Sequence, residues 1–150
     1  MAQQRRSKSG FFYEHSLSLV SAAILVSWIV LYAFSDSATH LGSFFGNAIA
    51  DWMGVVVTVV ATKWMYEKGS AESRKPPLRW LGPAHDFLRD HSLSIFLVIT
   101  GAVWIAVYVM MDSESKWGQV VGNIVSEWTQ IFGLVILTKR LVERHSKEGK

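Results

Sequence analysis

The 150-residue sequence contains no cysteine, and it lacks the common signatures of an enzyme. Without cysteine, a disulfide, a thiolate nucleophile and a cysteine-ligated metal centre are excluded. G-x-S-x-G, the phosphate-binding P-loop, H-E-x-x-H and a glycine-rich dinucleotide turn are also absent. The three prolines all fall between positions 76 and 83, so they break helices only there. We therefore expect a protein that is not an enzyme and that holds no cofactor and no metal.

Charged residues are scarce in four apolar runs, at about 17–34, 44–66, 93–111 and 120–142. Each run is long enough to cross a hydrocarbon core about 30 Å thick as a helix. The basic residues before the first run would also suit a secretory signal, but the run recurs at Leu93, so a membrane span is favoured. These runs predict an all-α membrane protein with four transmembrane helices in a lipid bilayer.

The sequence repeats itself at a constant offset of 76 residues. Positions 11–74 align with 87–150 without a gap, and 20 of the 64 positions are identical. Each copy holds two spans, so both copies enter the membrane the same way up and are related by a pseudo-two-fold axis along the membrane normal. We predict one membrane domain, 1–150, with two tandem parallel two-helix repeats, 11–74 and 87–150, joined by a linker at 75–86.

The basic residues are divided very unevenly between the two sides of the predicted spans. Only Lys116 lies on one side. The other side holds Arg5, Arg6, Lys8, Lys63, Lys68, Arg74, Lys75, Arg79, Arg89, Lys139, Arg140, Arg144, Lys147 and Lys150. Because positive charge favours the cytoplasmic side, both termini are expected to be cytoplasmic. Since these residues flank spans, the net charge of +3 does not indicate a nucleic-acid partner.

Each copy carries an acid inside its second span, Asp51 or Glu127. A charged group in hydrocarbon costs roughly 2.5 kcal/mol or more, so it usually has a polar partner or a functional role. Other polar residues fall on the same helix face as each acid, and a tyrosine of the preceding helix falls at a similar depth. We therefore predict an ion pathway or polar network around the two acids. Its members are Asn47, Asp51, Thr58, Thr62, Asn123, Glu127, Gln130 and Thr138, with Tyr32 and Tyr108 from the preceding helices.

A second interpretation of the acids is structural. Each would lie near the membrane interface and fix helix register, with an Asn amide or a Tyr hydroxyl as its hydrogen-bond partner. Trp52 and Trp128, directly beside the acids, favour this interpretation because tryptophan anchors helices at the interface.

His15 and His91 occupy matching positions in the two copies, next to Glu14 and Asp90. A metal site on the cytoplasmic face is one interpretation. An acid directly beside a histidine is not a specific ligand spacing, however. We therefore favour a role for these residues in starting and capping the helix that follows. Histidines do not occur at mid-membrane depth on two spans, which argues against a transmembrane haem.

Three stretches carry a resemblance to a known family. They are 15–19 (His-Ser-Leu-Ser-Leu), 68–74 (Lys-Gly-Ser-Ala-Glu-Ser-Arg) and the cluster Asn123, Ser126, Glu127, Trp128 and Gln130. Together they resemble a family of small bacterial membrane proteins catalogued only as a domain of unknown function. The resemblance covers most of the chain and implies a multi-pass protein of the bacterial inner membrane with tandem two-span units. It implies no activity, and the first copy departs from the cluster at Asp51 and Gly54.

Two functions suit these features. The first is an ion- or proton-conducting channel or transport protein that works as a homo-oligomer, because four spans can barely enclose a pathway alone. The second is a non-conducting accessory or scaffold subunit of a larger membrane complex, in which the polar residues join helices. A membrane enzyme is a third, weaker hypothesis.

Overall fold

The computed structural model describes residues 10–73 and 85–141, and this part of the chain is helical with no strand. The helices are α1 (Phe11–Glu14), α2 (Ser16–Phe34), α3 (His40–Trp64), α4 (Asp86–Asp90), α5 (Ser92–Met110) and α6 (Lys116–Leu137). Helices α2, α3, α5 and α6 are long and apolar enough to cross a membrane. The prediction of an all-helical chain with four helices of spanning length is confirmed. Most of the predicted linker, 75–84, lies outside the described residues.

Helices α3 and α6 begin about four residues before the apolar runs that predicted them. Thr39 caps α3 by accepting a hydrogen bond from the backbone N–H of Gly42 at 3.1 Å, and Ser115 caps α6 through Gly118 at 3.0 Å. A side-chain oxygen at this position satisfies a donor that the helix itself leaves unbonded. The sequence pattern missed these starts because the first turns are polar.

A close backbone contact explains the glycine in each of these first turns. A Cβ atom on Gly42 would lie 1.9 Å from the carbonyl oxygen of Asp36, and one on Gly118 would lie 2.0 Å from that of Asp112. Any other residue would clash with the tight turn between the two helices. Glycine is therefore needed here for space.

Helices α3 and α6 form the centre of the bundle. Helix α2 packs against α3, α5 packs against α6, and α3 packs against α6. The buried core follows this order, with Ile49 and Ala50 on α3, Ile124 on α6 and Leu97 on α5. Much of the apolar surface of α2 and α5 faces outward, which suits helices surrounded by lipid.

Helix α3 ends at Trp64, two residues before the predicted limit, and α6 ends at Leu137, five before it. The chain after α3 then crosses to the start of α5. The backbone N–H of Lys68 donates to the carbonyl of Asp90 at 2.7 Å, and that of Leu93 donates to the carbonyl of Tyr66 at 3.2 Å. Gly69 has φ 88°, a conformation that glycine adopts without strain. We call residues 65–73 the crossing segment.

Candidate functional site

The acids of the two central helices meet where α3 and α6 pack together. Asn123 donates to the side-chain oxygen of Asn47 at 2.5 Å, one turn before the acids on each helix. Asp51 and Glu127 line the same two grooves between the helices, and Gln130 donates to Glu127 at 3.1 Å. The structure thus brings together Asn47, Asp51, Asn123, Glu127 and Gln130, which we call the seam cluster.

Small residues on α3 allow this approach. Ala50 is buried, and a Cβ atom on Gly54 would lie 3.2 Å from the Ile131 side chain and 3.6 Å from a Glu127 carboxylate oxygen. Small side chains let helix backbones come close together in lipid. The seam cluster is therefore positioned by the packing of α3 against α6 itself.

The acids lie near the middle of their helices. Asp51 comes 11 residues after the first residue of α3, and Glu127 comes 11 residues after the first residue of α6. At 1.5 Å per residue, each acid is about 16 Å from the start of its helix. The structural interpretation, in which the acids lie near the membrane interface, would place them nearer the helix ends. That interpretation also treats Trp128 as an anchor at the interface. Trp128 is instead buried between helices, with its indole N–H donating to Thr100 at 2.8 Å.

The seam cluster faces outward. Asn47, Asp51 and Gln130 are exposed, and Glu127 is half-buried. A groove of about 330 Å³ between the helices is lined by Asn47, Ala50, Asp51, Asn123, Ser126 and Glu127. Polar groups therefore form an open surface at mid-helix depth, where a single chain would present them to lipid.

Further cavities continue this groove along the seam. A second groove, of about 290 Å³, shares Asp51 and Glu127 with the first and extends to Thr58. A third cavity, of about 160 Å³, shares Thr58 with the second and extends to Thr62 and Glu72. The three spaces follow α3 and α6 from the seam cluster to the crossing segment.

Tyr32 and Tyr108 lie apart from this chain of cavities. The hydroxyl of Tyr32 donates to the carbonyl of Lys116 at 2.6 Å, so its single proton is not available to an acid. Tyr108 lies over Gly122, whose Cβ would be 3.0 Å from its ring. Both tyrosines pack the ends of the helices.

The two threonines predicted near the ends of the spans have different positions. Thr62 lines the third cavity, and its hydroxyl donates to the carbonyl of Thr58 at 2.6 Å. Thr138 is buried beneath the crossing segment, where its side-chain oxygen lies 3.0 Å from that of Ser70. Thr138 therefore fixes the crossing segment, while Thr62 lies along the seam.

A second polar site, which the sequence analysis missed, is formed by the crossing segment. The Glu67 carboxylate is fully buried, with 0% of its side chain exposed. It forms an ion pair with Lys139, lies 2.6 Å from Nδ1 of His91, and accepts the backbone N–H of Ser94 at 3.2 Å. We call His91, Ser94 and Lys139 the second-half cradle. The identity of Glu67 and Glu143 in the repeat was the available signal.

The environment of Glu67 favours the charged form. Burial raises the pKa of its carboxyl, but hydrogen bonds from Lys139, Ser94 and His91 outweigh that effect, so the pKa lies below its ordinary value of 4.5. The carboxylate ties the chain after α3 to the start of α5 and the end of α6. His91 thus has a carboxylate-binding role, and no group of three or more metal-ligating residues occurs within 10–73 and 85–141.

Comparisons with protein-family models, with curated proteins and with solved structures found no match. The resemblance to a bacterial membrane family therefore stays a prediction. The function is argued below from the seam cluster.

Proposed function

We propose that this chain is a multi-pass protein of the bacterial inner membrane that conducts protons or cations as a homo-oligomer. The pathway would run along the seam between α3 and α6, with Asp51 and Glu127 as its acids. The observation that carries the proposal is the position of these two carboxyl groups, which line the same grooves and lie about halfway along helices of spanning length.

The outward direction of the seam cluster supports an oligomer. A charged side chain at the bilayer centre costs roughly 2.5 kcal/mol or more, even on the most permissive scale. Two copies that pack seam to seam would cover Asn47, Asp51 and Gln130 and enclose the grooves between four central helices. The apolar outer surfaces of α2 and α5 would then face lipid.

The pairing of the carboxyl groups supports protons or cations as the conducted species. Two carboxylates at close range repel each other when both are ionised, so such a pair favours either a shared proton or a bound cation. Asn47, Asn123 and Gln130 supply further oxygen ligands or hydrogen bonds around them. The seam cluster carries no basic side chain that would attract an anion.

The cavities beyond the acids support a route toward the cytoplasmic side. Thr58 lines both the second and the third space, and Glu72 lines the third at its inner end. Between them the walls are mostly apolar, with Val57, Leu97 and Val135. An apolar stretch of this kind can act as a barrier that opens and closes by wetting.

Flux measurements on the purified protein in liposomes test this function. Wild type is compared with Asp51→Asn and Glu127→Gln, which keep side-chain shape and remove charge. Glu114→Gln serves as the control, because it removes an acid from the exposed loop before α6. We expect proton or cation flux in wild type and in the control, and at least a tenfold loss in either seam variant.

The alternative function is an accessory or scaffold subunit without conduction. The direct Asn47–Asn123 hydrogen bond favours it, because such bonds join helices in lipid. If wild type is silent toward several cations and under a pH gradient, and the seam variants reduce assembly with another membrane subunit, the scaffold function replaces conduction.

We also propose that both termini are cytoplasmic and that a pseudo-two-fold axis along the membrane normal relates the halves. The 14-to-1 distribution of basic residues and the matched bounds of α2 and α5 support this arrangement. The absence of native cysteine makes labelling simple. In intact cells, an impermeant maleimide should label Ser113→Cys, and it should label Gly10→Cys only after lysis. Labelling of Gly10→Cys in intact cells would reverse the orientation.

A further inference from the structure

We propose that the start of α2 and the end of α3 form a binding site for the phosphate group of an anionic phospholipid. Its ligands are His15, Ser18 and Lys63, which we call the first-half cradle. Such a site requires neither conduction nor a homo-oligomer. It would hold the first half of the bundle to the headgroup layer of the membrane.

The side chains of the first-half cradle converge on one place. The Lys63 ammonium group donates to the Ser18 hydroxyl at 2.5 Å and lies 3.3 Å from Nδ1 of His15. Phe11 packs against the His15 ring, with the ring centroids 4.5 Å apart, which limits the orientations of the imidazole. The Ser18 hydroxyl accepts a hydrogen bond here and keeps its own proton to donate. An ammonium group, a hydroxyl and an imidazole are therefore held within reach of one ligand.

The counterparts of these residues, 76 positions later, bind an anion in the same structure. They are the second-half cradle, in which Lys139 forms an ion pair with the Glu67 carboxylate and Nδ1 of His91 lies 2.6 Å from it. The backbone N–H of Ser94, in the first turn of α5, donates to the same carboxylate at 3.2 Å. The fold thus arranges this set of groups at a helix start so that it binds a negatively charged oxygen ligand.

The first-half cradle is accessible from outside the protein. Lys63 is exposed, and His15 and Ser18 are half-buried. Within 10–73 and 85–141 Lys63 forms no ion pair, whereas Lys139 is paired with the buried Glu67. The anion for the second-half cradle comes from the chain itself, and an external anion can reach the first-half cradle.

Exposed apolar side chains next to the first-half cradle favour a lipid over a free phosphate ion. Phe12, Leu17 and Trp64 expose 77%, 65% and 71% of their surface. Helices α2 and α3 are long and apolar enough to span a membrane, so their ends belong at the interface, where aromatic residues are enriched. A phospholipid supplies a phosphate for the cradle and acyl chains for these apolar side chains. A free phosphate ion supplies only the first.

The charge of the first-half cradle favours an anionic lipid. Lys63 brings a full positive charge, and the His15 imidazole adds a second when it is protonated. Phosphate oxygens accept charge-assisted hydrogen bonds from such donors, and basic pockets between spanning helices bind acidic headgroups. The positive group of a zwitterionic lipid would be repelled by the same two side chains.

Lipid binding to the purified protein in detergent, measured by native mass spectrometry, tests this site. Phosphatidylglycerol is the anionic probe, and phosphatidylcholine is the zwitterionic one. Wild type is compared with Lys63→Gln, which removes the charge, and with Lys63→Arg, which keeps it. Lys68→Gln is the matched control, because Lys68 is an exposed lysine five positions later that lies outside the first-half cradle.

We expect wild type to bind phosphatidylglycerol at least about fivefold more tightly than phosphatidylcholine. Lys63→Gln should weaken phosphatidylglycerol binding about tenfold, because it removes a hydrogen bond between charged groups. Lys63→Arg and Lys68→Gln should stay within about threefold of wild type. Equal losses in Lys63→Gln and Lys68→Gln would overturn the proposal, because the attraction would then belong to the basic surface in general. Equal binding of the two lipids by wild type would also overturn it.

Melting temperatures separate a lost site from lost folding. Phosphatidylglycerol should raise the melting temperature of wild type and of Lys68→Gln, and it should leave that of Lys63→Gln unchanged. If Lys63→Gln does not fold, Ser18→Ala carries the same comparison, with an expected loss of affinity of about threefold. Displacement of bound phosphatidylglycerol by an equal concentration of inorganic phosphate would overturn the lipid assignment, because the ligand would then be a free anion.

Discussion

Replacing Glu67 by glutamine is expected to loosen the cytoplasmic end of the bundle. The glutamine keeps the shape of the side chain but removes the charge that Lys139 and His91 bind. Hydrogen bonds to charged groups contribute about 1.5–3 kcal/mol, against about 0.5–1.5 kcal/mol for neutral ones. Three weakened hydrogen bonds at about 1 kcal/mol each give a loss of about 3 kcal/mol.

The burial of the ion pair supports this magnitude. Breaking a buried pair by removing one partner costs about 3–5 kcal/mol, because the remaining charge loses its compensation. Lys139 keeps 23% of its side chain exposed, so water can compensate part of its charge and the lower end applies. For a chain of this size, about 3 kcal/mol corresponds to a fall in melting temperature of roughly 6–12 °C.

Thermal denaturation in detergent, followed by far-ultraviolet circular dichroism, measures this effect. Hydrogen exchange of the crossing segment adds a local readout, since its backbone bonds to residues 90–93 depend on the docked carboxylate. Glu114→Gln is the control and should leave both signals unchanged. If Glu67→Gln lowers the melting temperature by less than 2 °C and leaves exchange unchanged, the ion pair contributes little and the reasoning fails.

Three further predictions concern pH, space and the hydrogen bond between Trp128 and Thr100. The pKa of Glu67 is lowered below 4.5 in the folded protein. The stability that the Glu67 carboxylate contributes is therefore fully present above pH 4.5 and is lost as the pH falls through the folded pKa. Wild type should lose stability over this acidic range, and Glu67→Gln should lose much less. Gly118→Ala should lower stability by about 1–3 kcal/mol, because the methyl group would lie 2.0 Å from a backbone carbonyl oxygen. Gly133→Ala, on the same helix with open space at its Cβ, should be neutral or stabilising in the same denaturation assay. Thr100→Val should cost about 0.6 kcal/mol by removing the bond to Trp128, and a loss above 2 kcal/mol in steric-trap unfolding would contradict this estimate.

Hydrophobic runs and helical spacing predicted the four long helices and the shared face of the acids. Both features are local, because a run of apolar residues and a spacing of three or four positions need no knowledge of neighbouring helices. The starts of α3 and α6 were predicted about four residues too late, since both helices begin with polar turns that hydropathy assigns to loops. Thr39 and Ser115 set those starts through capping bonds.

The composition of the polar network could be predicted only in part. Asn47, Asp51, Asn123, Glu127 and Gln130 do come together, but Tyr32 instead binds the carbonyl of a residue 84 positions away. A tyrosine at the right depth can point toward either neighbour, and packing decides which. Spacing along one helix carries no information about that choice.

Sequence alone predicted four helices that are long and apolar enough to span a membrane, and it contains a repeat at an offset of 76 residues, because these features depend on composition and on self-similarity. Tertiary structure decided that the two repeat-related asparagines bond to each other across the seam and that the acids face outward. It also decided that Glu67, a charged residue after a span, becomes the most deeply buried acid of the described chain. The physical reason is that burial of a charge depends on partners from distant elements, here His91 and Lys139, which only the packing of α5 and α6 brings within bonding distance.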